Sequence, residues 1–234
     1  MTAALQISGL TPLTTIDYPD HLACVVYTQG CPLRCAYCQN SHLIPFREEP
    51  GQLSWSRVVS FMEQRKEMLE AVVFSGGEPT LQSGLREAML SAIELGYKVG
   101  LHTAGVSASS LSKLLGLTDW IGLDVKAPDD LYQTVTGRAN QHIQNQRCLD
   151  LLLDSGTNFE CRTTVDWRLM QPEDLLRLAE QLMTRGVRRY ALQINHGGQC
   201  LDPNLCEPAV ISTSEKVQLK AVLNTMFPRF EWRE

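Results

Sequence analysis

No stretch of about 18 consecutive apolar residues occurs in this 234-residue sequence, so none of it is expected to span a membrane. It also lacks any lysine- or arginine-rich run, and with 26 acidic residues against 21 basic ones its formal charge is −5. A protein that binds a nucleic-acid backbone needs a basic face to release counterions, so nucleic acid is not an expected partner. Met1 to Gly9 lack the basic n-region and apolar core of a secretory signal, and no repeat, low-complexity tract or linker appears. With 44% hydrophobic content, this length supports one substantial core but not two comfortable ones. The expectation is a soluble, cytoplasmic protein with one domain over residues 1–234.

Cysteine is not lacking. Eight occur, and in a reducing compartment a tight cluster of thiols is better suited to metal ligation than to disulfides. Three of them, Cys31, Cys35 and Cys38, crowd into the run Gly30-Cys-Pro-Leu-Arg-Cys-Ala-Tyr-Cys-Gln39. A structural zinc or an electron-transfer 4Fe-4S cluster wants four protein ligands. Three thiolates leave one iron of a cubane open to other chemistry, which places the cluster loop at about residues 30–44. The alternatives are zinc, a disulfide or plain structural thiols. Cys24, Cys148 and Cys161 lie in apolar strand or helix patterns and read as small buried hydrophobes. Cys200 and Cys206 share a loop rich in Gly, Pro and Asn and read as loop thiols.

Apolar periodicity predicts an alternation of strands and helices repeated about six times, the pattern of an α/β fold with a parallel sheet. The predicted strands are His21 to Thr28, Ala71 to Phe74, Lys98 to His102, Trp120 to Val125, Phe159 to Val165 and Arg189 to Ile194. Helices are expected from Leu81 to Leu95, around Gln144 to Asp154, through Leu175, Leu178, Ala179 and Leu182 after Pro172, and from about Thr213 to Asn224. Six βα units fall short of a closed eight-stranded barrel, which leaves an open partial barrel or a doubly wound sheet.

The polar, glycine-bearing segments fall directly after strands, so the chemistry is expected at one rim. In Ser75-Gly76-Gly77-Glu78-Pro79, paired glycines admit a close backbone approach to a ligand, and Glu78 can accept bonds from an ammonium group. The plain alternative is a strand-to-helix turn. Thr103 follows His102, itself readable as a satisfied strand-end histidine. Asp124 and Lys126 are two residues apart and so share a face of an extended chain. Such a charged pair in an apolar strand needs a partner, unless it is only a rim salt bridge. Arg162, on a later strand, could reach an anionic group.

The C-x3-C-x2-C run, with Tyr37 before its last cysteine, resembles the defining motif of the radical S-adenosylmethionine (SAM) enzymes, and the Gly-Gly-Glu-Pro run resembles their GGEP element. The resemblance implies an open partial (β/α)6 TIM-like barrel of the radical SAM type, a 4Fe-4S cluster on Cys31, Cys35 and Cys38, and SAM on its open iron. It further implies SAM contacts from Gly76, Gly77, Glu78, Thr103, Asp124 and Lys126, a rim role for His196 against adenine, and no catalytic side chain beyond the cluster and SAM. From Gly9 to Lys126 the chain is similar to the activating proteins of anaerobic ribonucleoside-triphosphate reductase, which generate a glycyl radical on that enzyme. Asp17-Tyr18-Pro19 looks like the same family's lead into the first strand and is given no catalytic role. A flavodoxin- or ferredoxin-like donor follows from the family. Gln39-Asn40-Ser41, where many relatives have His-Asn-Pro, and His102, where the pyruvate formate-lyase activators often have aspartate, leave open another glycyl-radical partner such as pyruvate formate-lyase. A small-molecule radical SAM enzyme is the third reading.

Overall fold

A computed structural model describes residues 5–47 and 51–234. Its β-branched and apolar runs form eight strands in one sheet, ordered along the sheet as along the chain. β1 (Ile7–Thr14) runs antiparallel to β2 (Ala23–Thr28). From β2 onward every neighbour is parallel: β3 (Ala71–Gly76), β4 (Lys98–Thr103), β5 (Trp120–Asp124), β6 (Asn158–Val165), β7 (Arg189–Ile194) and β8 (Arg229–Arg233). β1 and β8 are the two ends of this order, so the sheet stays open, as an open partial barrel requires. Helices α1 (Trp55–Arg65), α2 (Leu85–Glu94), α3 (Ala108–Ser112), α4 (Tyr132–Thr136), α5 (Gln141–Ser155), α6 (Pro172–Thr184) and α7 (Thr213–Met226) occupy the connections.

The six predicted strands are all present, with shifted ends. β2 starts at Ala23 because His21 and Leu22 belong to a turn in which Asp20 has φ of 63°. The helix expected from Leu81 begins only at Leu85, after a 3-10 turn over Pro79–Leu81. α6 opens on Pro172, with Asp174 accepting from the Gln171 amide, and stops before Gly186. Periodicity alone does not pick out β1, α1, α3, α4 or β8. β1 carries Gly9 and Pro12, which weaken a strand pattern, and β8 is a short, charged edge strand.

The inner strands β2 to β7 are largely buried on both faces, as parallel strands are, whereas the edge strands β1 and β8 are not. Cys24, Val26, Val72, Phe74 and Leu101 join the large core beneath the helices, whereas Ala23, Val25, Ala71, Val73 and Trp120 face a smaller core inside the barrel. The turn between β1 and β2 closes that inner core. Its Tyr18 ring lies 5.6 Å from Trp120 and is buried against them. Above this apolar plug, alternate positions of β4, β5 and β6 bring His102, Asp124 and Arg162 to the same side as Gly100, Trp120 and Glu160. The polar rim therefore stands above an apolar cluster, with the buried Glu160 beside it paired to Arg233.

Candidate functional site

The cysteine loop is held by backbone bonds on three sides. Gly30 and Cys31 donate to the carbonyls of Leu43 and Ile44 at 2.7 and 3.0 Å, closing the loop on itself. Arg34 and Ala36 donate to Thr136 and Val135 at 2.8 and 3.1 Å, fastening it to α4. The Glu78 amide donates to the Gly30 carbonyl at 2.8 Å, joining the cysteine loop to the Gly-Gly-Glu loop after β3. The two segments singled out from sequence are thus direct neighbours.

Cys35 is buried, and Cys31 and Cys38 are half-buried. Burial pushes the Cys31 thiol up to about 12, and raises Cys35 against the pull of Lys126. Each thiol lies within electrostatic range of the next, Cys31 of Cys35 and Cys35 of Cys38. Among the described residues no three His, Cys, Asp or Glu side chains converge as for a single ion. A cubane takes each cysteine on a different iron, so its ligands are spread, and this donor set fits it. The Tyr37 hydroxyl, buried within electrostatic range of Cys35 and Lys126, has no hydrogen-bond partner among the described residues, and an acceptor-rich group at the thiols would supply one.

Glu78 is fully buried. Its Oε1 accepts from the Thr80 amide at 3.2 Å, the Thr80 hydroxyl at 2.6 Å and the Thr103 hydroxyl at 2.7 Å, and its Oε2 from the Ala104 amide at 2.9 Å. Burial raises its pKa while these four donors pull the other way. The carboxylate therefore ties the loop after β3 to the loop after β4. Gly77 abuts the cysteine loop: a Cβ there would sit 2.3 Å from the Gly30 carbonyl oxygen. The paired glycines first serve an approach of chain to chain.

Asp124, at the end of β5, is forked between two cations. Lys126 Nζ lies 2.8 Å from its Oδ2, and Arg162 Nη2 lies 2.8 Å from its Oδ1, with Arg162 Nε also donating there. Burial alone would raise the Asp124 pKa, but Arg162 and then Lys126 hold it well below the usual carboxylate range. Burial likewise opposes the charge on Lys126, and Asp124 more than restores it. A carboxylate has about four acceptor sites, so Asp124 retains capacity for a ligand's hydroxyls.

The remaining candidates separate. His102 is buried beside Trp120, with Nε2 2.8 Å from the Asp17 carbonyl oxygen, so the segment left without a role reaches into the lumen. Burial and Arg162 push its pKa down to about 3, which keeps it neutral. His196 is exposed. The loop of Cys200 and Cys206 sits on the cysteine loop: the Asp202 backbone amide donates to the Ala36 carbonyl at 2.9 Å, and Gln39 Nε2 donates to the Gly197 carbonyl at 3.1 Å. Nothing local signals that contact, which spans about 160 residues of chain. A cavity of about 510 Å³ with no cysteine in its lining lies between α5 and α6, and Val125, Ala127 and Asn145 are among the residues that line it.

The radical SAM superfamily model matches residues 25–165. A Methanocaldococcus jannaschii protein named as a glycyl-radical enzyme activating enzyme is 30% identical over 194 residues, 80% of this chain and 78% of that protein. The pyruvate formate-lyase-activating enzyme of Staphylococcus aureus is 33% identical over 153 residues, 60% of this chain and 61% of that enzyme. Among solved structures, Streptococcus suis SuiB bound to S-adenosylmethionine aligns with TM-score 0.66 at 16% identity over 90% of this chain, which spans half of SuiB's length. Escherichia coli QueE aligns with TM-score 0.58 at 16% identity over 98% of this chain and 94% of its own. Both carry the same fold. The chain belongs to the radical SAM superfamily, which uses a 4Fe-4S cluster and SAM, and its relatives by sequence are glycyl-radical enzyme activating enzymes.

Proposed function

We propose that this chain, as one domain over residues 1–234, is the activase of an anaerobic ribonucleoside-triphosphate reductase. Cys31, Cys35 and Cys38 would each hold one iron of the cluster, and Gly76, Gly77, Glu78, Thr103, Asp124 and Lys126 would form the SAM platform. When bound, cluster and SAM supply the 5′-deoxyadenosyl radical that removes a hydrogen from a glycine of the partner, after one electron from a flavodoxin- or ferredoxin-like donor. The chain's own residues bind and orient. Lys126, kept charged by Asp124, is the cation available to a carboxylate. Asp124, kept charged by Arg162 and Lys126, offers acceptor oxygens to hydroxyls. Glu78 acts from inside, holding the two flanking loops in register. The apolar plug at Tyr18 and Trp120 lies beneath this rim and would limit water access from that side.

The observation that carries this reading is the bond from the Glu78 amide to the Gly30 carbonyl, which sets the three thiols against the Gly-Gly-Glu loop. The reductase as partner rests on the resemblance of Gly9 to Lys126. The Staphylococcus aureus relative favours pyruvate formate-lyase as the second reading. The test is to reconstitute the cluster without oxygen, reduce it with dithionite, add SAM and each candidate partner, and follow 5′-deoxyadenosine with the EPR spectrum. A glycyl doublet on the reductase is expected. A doublet on the lyase alone would transfer the assignment, 5′-deoxyadenosine with neither doublet would point to a small-molecule substrate, and no SAM cleavage would overturn the reading.

A further inference from the structure

A buried amide without a role so far joins two parts of this platform. The parallel ladder between β4 and β5 ends with Thr103 opposite Leu123. One residue further on, the carbonyls of Ala104 and Asp124 have diverged from the ladder, and a buried carbonyl without a donor is costly. Asn145, in the second turn of α5 and 2% exposed, supplies both. Its Nδ2 donates to Ala104 O at 3.0 Å and to Asp124 O at 2.9 Å, one hydrogen for each. One turn earlier, Gln141 Nε2 donates to Gly105 O at 3.4 Å. The loop leaves room for the amide: a Cβ on Gly105 would lie 2.8 Å from Asn145 Nδ2.

Glu78 grips the same loop from its other side, through the Thr103 hydroxyl and the Ala104 amide. The segments after β3, β4 and β5 are therefore linked in series by two buried side chains, Glu78 and Asn145. We propose that Asn145 is a positioning residue that sets the spacing between Thr103 and Asp124, and through it the affinity of the rim for SAM. This rests on the reading of that rim as the SAM platform. Asn145 bonds to backbone carbonyls and to neither the thiols nor the Asp124 carboxylate, so its loss acts on SAM and leaves the cluster in place.

The experiment compares reconstituted wild type, Asn145→Ala, Asn145→Asp and Gln141→Ala for iron and sulfide content and for SAM dissociation constant by equilibrium dialysis, without turnover. Asn145→Ala is expected to keep its iron and to bind SAM about 10- to 100-fold more weakly, the range for loss of a supporting hydrogen-bond partner. Asn145→Asp places a carboxylate against two carbonyl oxygens in a buried site, which raises its pKa. Its SAM affinity should be weak at pH 8 and recover towards wild type as pH falls to 6, because the protonated acid restores one donor; Asn145→Ala should show no such recovery. Gln141→Ala, which removes the longer bond, gives a smaller loss in the same direction and keeps the test open if Asn145→Ala does not fold. Wild-type affinity in Asn145→Ala overturns the proposal, as does parallel loss of iron and SAM from every variant, the mark of a general structural role. Wild type holding a cluster but binding no SAM would bring down the SAM reading itself, and this inference with it.

Discussion

Replacing Gly77 by alanine tests whether the Gly-Gly-Glu loop and the cysteine loop form one unit. The added Cβ would lie 2.3 Å from the Gly30 carbonyl oxygen, 2.7 Å from its carbon and 3.0 Å from the Leu43 carbonyl oxygen. All three neighbours are backbone, so no rotamer change relieves the overlap, and one loop must move by about 1 Å to reach ordinary contact. That shift stretches the bonds from Glu78 to Gly30 and from Gly30 to Leu43, 2.8 and 2.7 Å long. Two such bonds contribute roughly 0.5–1.5 kcal/mol each, and overpacking adds about 1–3 kcal/mol. The expected destabilisation is therefore about 2–6 kcal/mol, and it acts next to Cys31. Thermal melting and iron content after reconstitution are the assays, with Gly116→Ala as the control, since nothing lies within 4 Å of a Cβ there. The variant should lose several degrees of melting temperature and a large share of its iron, while the control keeps both. Wild-type melting and iron in Gly77→Ala would refute the claim that this glycine exists for contact between the loops.

Two further outcomes follow from the lumen. His102 is buried neutral with its pKa lowered to about 3, so between about pH 6.5 and 3 the unfolded chain binds a proton that the folded chain does not. Its contribution to stability is full above about pH 6.5 and is lost as pH falls, by about 2 kcal/mol at pH 5; the melting temperature of His102→Gln should drop less between pH 7 and pH 5 than that of wild type, and parallel curves would contradict the assignment. A Cβ on Gly122 would sit 2.7 Å from Arg162 Cζ, the far end of a flexible side chain. Gly122→Ala should therefore fold, swing the guanidinium off Asp124 and weaken SAM binding about tenfold by dialysis, whereas unchanged affinity would show that Arg162 does not support the platform.

The parts legible in the sequence were those written in short-range spacing. Three cysteines within eight residues stand out as a candidate ligand set whatever the fold around them, and apolar runs closed by glycine or proline place six strands to within a few residues. The ends slipped where a turn or a 3-10 segment took over, at His21 and at Pro79, because propensity does not resolve such competition. Asp124 and Lys126 were legible as a pair, since two-residue spacing survives in any extended chain.

Tertiary structure decided what each part faces. Glycines 76 and 77 read as an approach to a ligand, yet Gly77 meets Gly30, a contact between segments about 47 residues apart. Glu78 read as an open acceptor, and the fold turns it inward on Thr80, Thr103 and Ala104. Arg162 becomes the second cation on Asp124 only because β5 and β6 are neighbours in register, Asp124 opposite Arg162. Asn145 carries no sequence signal at all: an asparagine in a helix is ordinary until the ladder beside it ends and leaves two carbonyls for its two hydrogens. Sequence determined which chemical groups are present and which neighbours along the chain share a face; the packing of strands distant in sequence determined their partners, because a buried polar group takes whatever donor or acceptor the fold brings within reach.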